Sequence, residues 1–499
     1  MNLGEHLLAC AERHPEAPAL VDGERRATYA ELLAQVREAA GGLVARGVRP
    51  GERVAATLKN RHEAVVLYWA SQWLGAVFVP LNWRLRPEEL SYCVADCGAR
   101  VLAVEGASAE AATAVPGMSL IAVADSPVGE ALAAGDGPPG PAAVDEREPA
   151  LMLYTSGTTG RPKGVPRSHR AERAAALAQL VQLELRPGDR TLGVMPLYHT
   201  MGMRSLLAAS ACGGLFCSQP EFRAEAALDA VERERLTSLY LAPTLFHDLV
   251  AAQRERPRDV SSVRALAYAG APMAGVLVER CIEAFAPQAF VNHYGSTEIY
   301  TFTIHGDQRT KPGCAGRPAL NARIRLVEPV EGASPAAVVA PGEVGQVACA
   351  LSSDEAFAGY WQRPDADARQ IRDGWYFPGD LGQLDADGDL YLVGRIDDMI
   401  VSGGENVHPL EIEEWLVRHP AVDEAAVVGE ADERLGQRVV AYVVRSGEVT
   451  PEALDAHCLA SPTLARFKRP RDYRFVDALP KSASGKLLRR LLRTTEGTP

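Results

Sequence analysis

"LMLYTSGTTGRPKGVPRSH", residues 151–169, opens on an apolar run that reads as a buried strand and turns into a loop of hydroxyls and glycines that meets a lysine. Thr155, Ser156, Thr158, Thr159 and Lys163 supply five hydroxyl or ammonium donors, and Gly157, Gly160 and Gly164 let backbone N–H groups come close to an anion. A triphosphate suits such a loop. The Walker A pattern requires Gly-Lys-Ser/Thr, whereas here Lys163 precedes Gly164 and no hydroxyl follows, so a P-loop NTPase is not indicated.

The strand leading into this loop belongs to a longer alternation. TYAELLAQVREAAGGLVARG starts with a capping box, Thr28 with Glu31, and stops at Gly47, which defines a helix. RVAATL and AVFVPL read as strands with a helix, EAVVLYWASQWLG, between them. Residues 124–149, rich in Gly, Pro and Ala, read as a surface connection. Beyond the loop, helix RAERAAALAQLVQL, strand TLGVMPL, helix RSLLAASACGG and strands SLYLAP, RALAYAG and AFVNHYG continue the pattern. Alternating strands and helices imply an α/β body with a mostly parallel sheet covered by helices. From about Gly345 short strands and turns take over, and DADGD, with glycine fourth from Asp385 rather than sixth, reads as a hairpin turn and not a calcium loop. A compact α+β segment follows GRIDD, which places a domain boundary near Asp397: a large N-terminal domain over 1–396 and a small C-terminal domain over 397–499.

Composition narrows the function. The chain of 499 residues has a formal charge of -12, which argues against a general nucleic-acid binder. Two basic clusters, RFKRPRDYR and KLLRRLLR, run against that balance and leave room for a small phosphorylated ligand. Nine cysteines without a CxxC pair fit reduced thiols better than disulfides or zinc, and no structural metal is expected. The start, MNLGEHLLACAERHPEAP, lacks an uninterrupted apolar stretch, and LYWASQWLGAVFVPL is too short to span a bilayer, so a cytoplasmic protein without a membrane span is expected.

The loop resembles the phosphate loop of the adenylate-forming superfamily, which includes acyl- and aryl-CoA synthetases, luciferases and the adenylation domains of peptide synthetases. AYAGAPM (267–273), NHYGSTE (292–298), GWYFPGD (374–380), GRIDDMIVSGGENVHPLEIE (394–413) and PKSASGK (480–486) supply the other motifs in the family's order, so the resemblance covers nearly the whole chain. It implies a large N-terminal body of sheets covered by helices and a small mobile C-terminal domain. It also implies an ATP-dependent acid:CoA ligase with ATP, Mg²⁺ and coenzyme A: a carboxylate attacks the α-phosphorus to give an acyl-adenylate and pyrophosphate, and a thiol then displaces AMP.

The same resemblance assigns roles. Lys486 bridges the substrate carboxylate and the α-phosphate, and Glu298 holds Mg²⁺ with Thr155. The phosphates lie along Thr155, Ser156, Gly157, Thr158, Thr159, Gly160 and Lys163, and Gly295, Ser296 and Thr297 also belong to the ATP site. Gly270, Ala271, Pro272, Asn292 and Tyr294 surround the adenine, and Asp380 with Arg395 contacts the ribose. Asp397 is the hinge. Gly403 and Gly404 line the pantetheine tunnel, and Arg84, Phe467 and Arg469 hold the nucleotide end of CoA. Leu435 stands where a close relative stacks a tryptophan on the CoA adenine, so that contact must be weaker or made elsewhere.

Among subfamilies the likeness is to bacterial 4-chlorobenzoate CoA ligases, in which the histidine matching His199 borders the acid site. The acid pocket is then expected from His199, Thr200, Met201, Tyr240, Phe246, Ala269, His293, Gly295, Ile299 and Tyr300. Tyr300 and His293 narrow it toward a flat ring, which favours an aromatic or cyclic acid over a medium-chain fatty acid. Arg204, if it faces inward, would instead suit a dicarboxylic acid. A stand-alone enzyme loading a carrier protein is the rival reading of another class. The partners expected are a small carboxylic acid and CoA, and a homodimer is left open.

Overall fold

The computed structural model describes residues 1–155, 161–481 and 487–493, with Asn406 and Arg490 described by their backbone alone. It divides into two compact units, Met1–Arg323 with Ala350–Arg369, and Ile324–Cys349 with Gln370–Pro499. The fold is α/β, with a large N-terminal body of sheets covered by helices and a smaller C-terminal α+β part.

Among the described residues the first unit holds two sheets. In one, Ala289–Tyr294, Ala265–Tyr268, Ser238–Leu241, Arg190–Gly193, Leu215–Ser218 and Pro18–Asp22 lie side by side and parallel, with antiparallel additions at both edges. In the other, Ser119–Ala122, Ala99–Val104, Arg53–Thr57, Val77–Pro80 and Pro149–Thr155 are parallel, and Lys163–Ser168 returns antiparallel to the last. Parallel neighbours need crossovers, and helices such as His62–Trp73, Thr200–Ala211 and Pro243–Glu255 supply them. The expected capping box is present, with the Thr28 side chain accepting from Glu31 N–H and the Glu31 side chain from Thr28 N–H.

Helix Tyr29–Ala45 carries a feature that its propensity opposes. Gly41 and Gly42 sit mid-helix, where glycine costs roughly 1 kcal/mol against alanine. A Cβ on Gly41 would lie 2.4 Å from the Gly135 carbonyl carbon, and one on Gly42 would lie 2.3 Å from the Ala133 oxygen. The connection over 124–149 is therefore seated on this helix along part of its length rather than looping away from it.

The second unit also holds two sheets among the described residues. One is built on Val344–Ala350, Asp380–Leu384 and Leu390–Arg395, and the other on Val422–Asp432 and Gly436–Arg445 with Asp472–Phe475 parallel to the latter. The expected turn at DADGD joins Asp380–Leu384 to Leu390–Arg395, with Asp385 Oδ1 accepting from the N–H groups of Asp387 and Asp389. No helix among the described residues is long and apolar enough to cross a membrane.

Candidate active site

The quoted stretch folds as an antiparallel pair, Pro149–Thr155 with Lys163–Ser168, that sets Thr155 opposite Lys163. Ser156, Gly157, Thr158, Thr159 and Gly160 lie outside the described residues. The half-buried Lys163 ammonium stands 4.1 Å from the centre of the Tyr360 ring. The Tyr360 hydroxyl in turn donates to Glu298 Oε1 at 2.5 Å. Burial pulls the Lys163 pKa below its ordinary value, and the Glu298 carboxylate works against that shift. Cation, aromatic face and carboxylate thus converge beside the loop, and sequence reasoning missed Tyr360, which carries no local signal of its role.

Glu298 is fixed from behind. Its carbonyl accepts from Arg167 Nη1 at 3.0 Å and from Phe357 N–H at 2.9 Å, and its N–H donates to Ser296 Oγ at 3.2 Å. Arg167 is fully buried, with Nε on Glu172 Oε1 at 2.8 Å and its guanidinium 3.9 Å over the Tyr300 ring. The Tyr300 hydroxyl closes the ring of contacts by donating to Glu172 Oε2 at 3.2 Å. Burial raises the Glu172 pKa, opposed by the charge of Arg167. Tyr300, expected as a wall of the acid pocket, is therefore committed by its ring and hydroxyl to the network that holds the Glu298 backbone.

The adenine candidates lie at or just past the carboxyl ends of two adjacent parallel strands, the usual ligand crevice of an open α/β sheet. Tyr268 and Asn292 are register partners. Gly270, Ala271 and Pro272 follow Tyr268 and are exposed, while the Asn292 amide donates to Cys314 O at 2.8 Å and Tyr294 packs edge-on against Phe302 at 5.1 Å. Gly295, Ser296 and Thr297 form the turn that leads into Glu298, closed by Ser296 N–H on Ile299 O at 3.0 Å.

On the acid side, His199 caps helix Thr200–Ala211, its Nδ1 accepting from Met201 N–H at 3.3 Å. Thr200 and Ala269 are half-buried, and Met201, Tyr240, Phe246 and Ile299 are buried. Tyr240 meets the His293 ring edge-on at 5.1 Å, and Phe246 packs on Phe290 at 6.0 Å. Arg204, whose direction the sequence left open, points into the protein and is 1% exposed. It donates to Thr301 Oγ1 at 2.6 Å, Gln182 Oε1 at 3.2 Å and Ala175 O at 3.3 Å.

In the second unit Asp380 and Arg395 are register partners on neighbouring strands, with Arg395 Nη1 on Asp380 Oδ1 at 2.6 Å and Nη2 on Pro378 O at 3.0 Å. The two expected ribose contacts are thus one ion pair. Asp397 is exposed in the short turn Ile396–Asp398, and its carbonyl accepts from Arg493 Nη1 at 3.3 Å. Gly403 and Gly404 take φ of +62° and +86°, left-handed values that favour glycine, and Gly403 N–H donates to Leu435 O at 2.8 Å. Phe467 is exposed, and Arg469 pairs with Asp455 at 2.8 Å. Arg84, in the first unit, is exposed with its guanidinium 3.9 Å over the Trp83 ring, and the Lys59 ammonium stands 4.5 Å from the same ring. Lys486 lies outside the described residues; among those described, Lys481 and Leu487 form an antiparallel bridge.

The AMP-binding enzyme pattern matches residues 7–361, and the AMP-binding enzyme C-terminal domain matches 411–486. A feruloyl-CoA synthase of Amycolatopsis sp is 37% identical over 499 residues, covering 99% of each chain. A 4-chlorobenzoate–CoA ligase of Arthrobacter sp is 37% identical over 492 residues, covering 97% of this chain and 93% of its own. The structure of o-succinylbenzoate CoA synthetase from Bacillus subtilis with its acyl-adenylate intermediate superposes with a TM-score of 0.88 at 28% identity, covering 100% of both chains.

Proposed function

We propose that this chain, which belongs to the AMP-binding enzyme family and is an AMP-forming acyl- or aryl-CoA synthetase, takes an aromatic or cyclic carboxylic acid as its substrate. The reaction class is ATP-dependent ligation of an acid to CoA through an acyl-adenylate, with ATP, Mg²⁺ and CoA. The observation that carries the substrate class is the buried Tyr240–His293 pair, together with an Arg204 that gives three of its five N–H donors to Thr301, Gln182 and the Ala175 carbonyl. A ring acid suits aromatic walls, whereas a dicarboxylic acid would need the guanidinium that Arg204 turns to its neighbours. The two sequence relatives named above are, by name, ligases of ring-bearing acids, which supports the same reading.

In the first half-reaction a carboxylate oxygen attacks the α-phosphorus and the bond to pyrophosphate breaks. The obstacle is repulsion between anions, so preorganised positive charge does most of the work. Lys486 bridges the two reacting anions, and Lys163, held over Tyr360, faces the outer phosphates. A carboxylate oxygen of Glu298 and the Thr155 hydroxyl form a hard donor set that fits Mg²⁺. When bound, that ion neutralises phosphate charge. Asp380, oriented by Arg395, accepts the ribose hydroxyls. In the second half-reaction the CoA sulfur attacks the acyl carbon, the thiol proton is lost and AMP departs. A turn at Asp397, between a large domain over 1–396 and a small one over 397–499, exchanges Lys486 for the Gly403–Gly404 turn, where a side chain would obstruct a pantetheine arm. A cytoplasmic location accords with nine cysteines of which eight are buried.

The test is pyrophosphate release with benzoate, 4-chlorobenzoate, cyclohexanecarboxylate, octanoate and malonate, followed by CoA-dependent release of AMP. Ring acids are expected to lead. Octanoate ahead by more than about tenfold, roughly 1.4 kcal/mol, would overturn the substrate class, and a malonate preference would return Arg204 to the site.

A further inference from the structure

His293 is the one imidazole among the described residues whose two ring nitrogens are both buried and without a hydrogen-bond partner. It is 1% exposed and lies on the strand Ala289–Tyr294. Strand side chains alternate, so His293 shares a face with Val291 and not with Asn292. Val291 is in register with Ala267, and Ala267 with Tyr240, so Tyr240, Ala269 and His293 occupy one face of the sheet near the carboxyl ends of their strands. The Arg204 side chain, from the helix that His199 caps, is close enough for its charge to oppose protonation of His293, as burial also does.

The neighbouring polar groups have found partners within the protein. Asn292 donates to Cys314 O, Arg204 gives three of its N–H groups to Thr301, Gln182 and Ala175 O, and Tyr300 donates to Glu172. Leaving two buried nitrogens unpaired costs free energy that an apolar side chain of similar shape would not, and the edge-on contact with Tyr240 does not require an imidazole. A molecule bound against this face of the sheet would supply the partner. A neutral imidazole offers one N–H and one lone pair, and a hydroxyl serves either, donating to the bare nitrogen or accepting from the protonated one. Hydrogen, halogen or methyl serves neither.

We propose that His293 selects, among ring acids, those that carry a hydroxyl on the ring. The inference rests on the ring-acid reading above and goes beyond it by naming the substituent and the residue that reads it. A site built to hydrogen-bond a substrate hydroxyl discriminates strongly against the analogue that lacks it.

The experiment compares kcat/KM from pyrophosphate release for benzoate, 4-chlorobenzoate and the three hydroxybenzoate isomers, in the wild type, His293→Leu and His293→Gln. In the wild type the best hydroxybenzoate is expected to exceed benzoate and 4-chlorobenzoate by at least tenfold. The ratio falls to about one in His293→Leu and is partly restored in His293→Gln, which again offers a donor and an acceptor. Calorimetric Kd values of the wild type for benzoate and the hydroxybenzoates give the same comparison without relying on the variants. Equal use of benzoate and every hydroxybenzoate by the wild type, or a preference undiminished in His293→Leu, overturns the inference and leaves the ring-acid reading standing. Octanoate ahead of all ring acids overturns the ring-acid reading itself.

Discussion

Glu298 and Asp397 are both carboxylates proposed to serve this reaction, and their surroundings differ in kind. Glu298 is 6% exposed, bonded to Tyr360 through its side chain and to Arg167 and Phe357 through its carbonyl. The Asp397 side chain is 58% exposed, in a short turn whose carbonyl is held by Arg493. A group that must sit still while charge develops is over-determined by its neighbours, whereas a residue about which chain direction changes needs few of them. The same contrast separates Lys163, half-buried over an aromatic ring, from the left-handed turn Gly403–Gly404. The account therefore divides the proposed machinery into a fixed set and a turning set.

The fixed set predicts the largest effect. Tyr300→Ala removes the ring under Arg167 and the hydroxyl on Glu172, leaving buried charges short of partners. It is expected to cost about 3–5 kcal/mol, read as a fall in the urea unfolding midpoint. If the variant instead keeps wild-type stability and accepts longer acids, Tyr300 is a pocket wall and not part of the support behind Glu298.

Next in size is Glu298→Gln, which keeps the shape and an acceptor for Tyr360 but loses the charge. Pyrophosphate release is expected to fall by roughly 10²- to 10³-fold, with a weakened dependence on Mg²⁺. An unchanged Mg²⁺ titration would remove Glu298 from the metal.

The first unit also carries an acid sensitivity that is smaller and unrelated to catalysis. Burial holds the pKa of both His6 and His169 down to about 4 from 6.5. The unfolded chain then binds protons that the folded chain refuses, so stability falls as pH drops from about 6.5 toward about 4. The loss is on the order of 1–3 kcal/mol for each histidine. His169→Gln, which keeps an acceptor for Leu3 N–H, should flatten this slope in urea midpoints measured across that range. An unaltered slope would show that His169 titrates normally.

Legibility in the sequence followed the range of the interaction. The Thr28–Glu31 cap, the alternation of helices and parallel strands and the DADGD turn are local patterns, and each is present as read. Asp380 and Arg395, named separately from motifs, form one ion pair because the hairpin between them makes them register partners. The support behind Glu298 was hidden, since Arg167, Glu172, Tyr300 and Tyr360 come from distant positions and obey no periodicity. Arg204 was undecidable for a related reason: helical spacing gives its face, but Thr301 and Gln182, which claim it, lie far along the chain. The seat of residues 133–137 on Gly41 and Gly42 was readable only as two unexplained glycines in a helix.

The division into a fixed and a turning set is tested most directly by Lys486→Ala in separated half-reactions. Acyl-adenylate formation, followed by pyrophosphate release, and thioester formation from synthetic acyl-AMP and CoA would be measured on the same preparation. The account predicts a loss of about 10²-fold or more in the first and an unchanged rate in the second, because the lysine has left the site by then. An equal loss in both would contradict it, since a single arrangement of the chain would then serve the whole reaction.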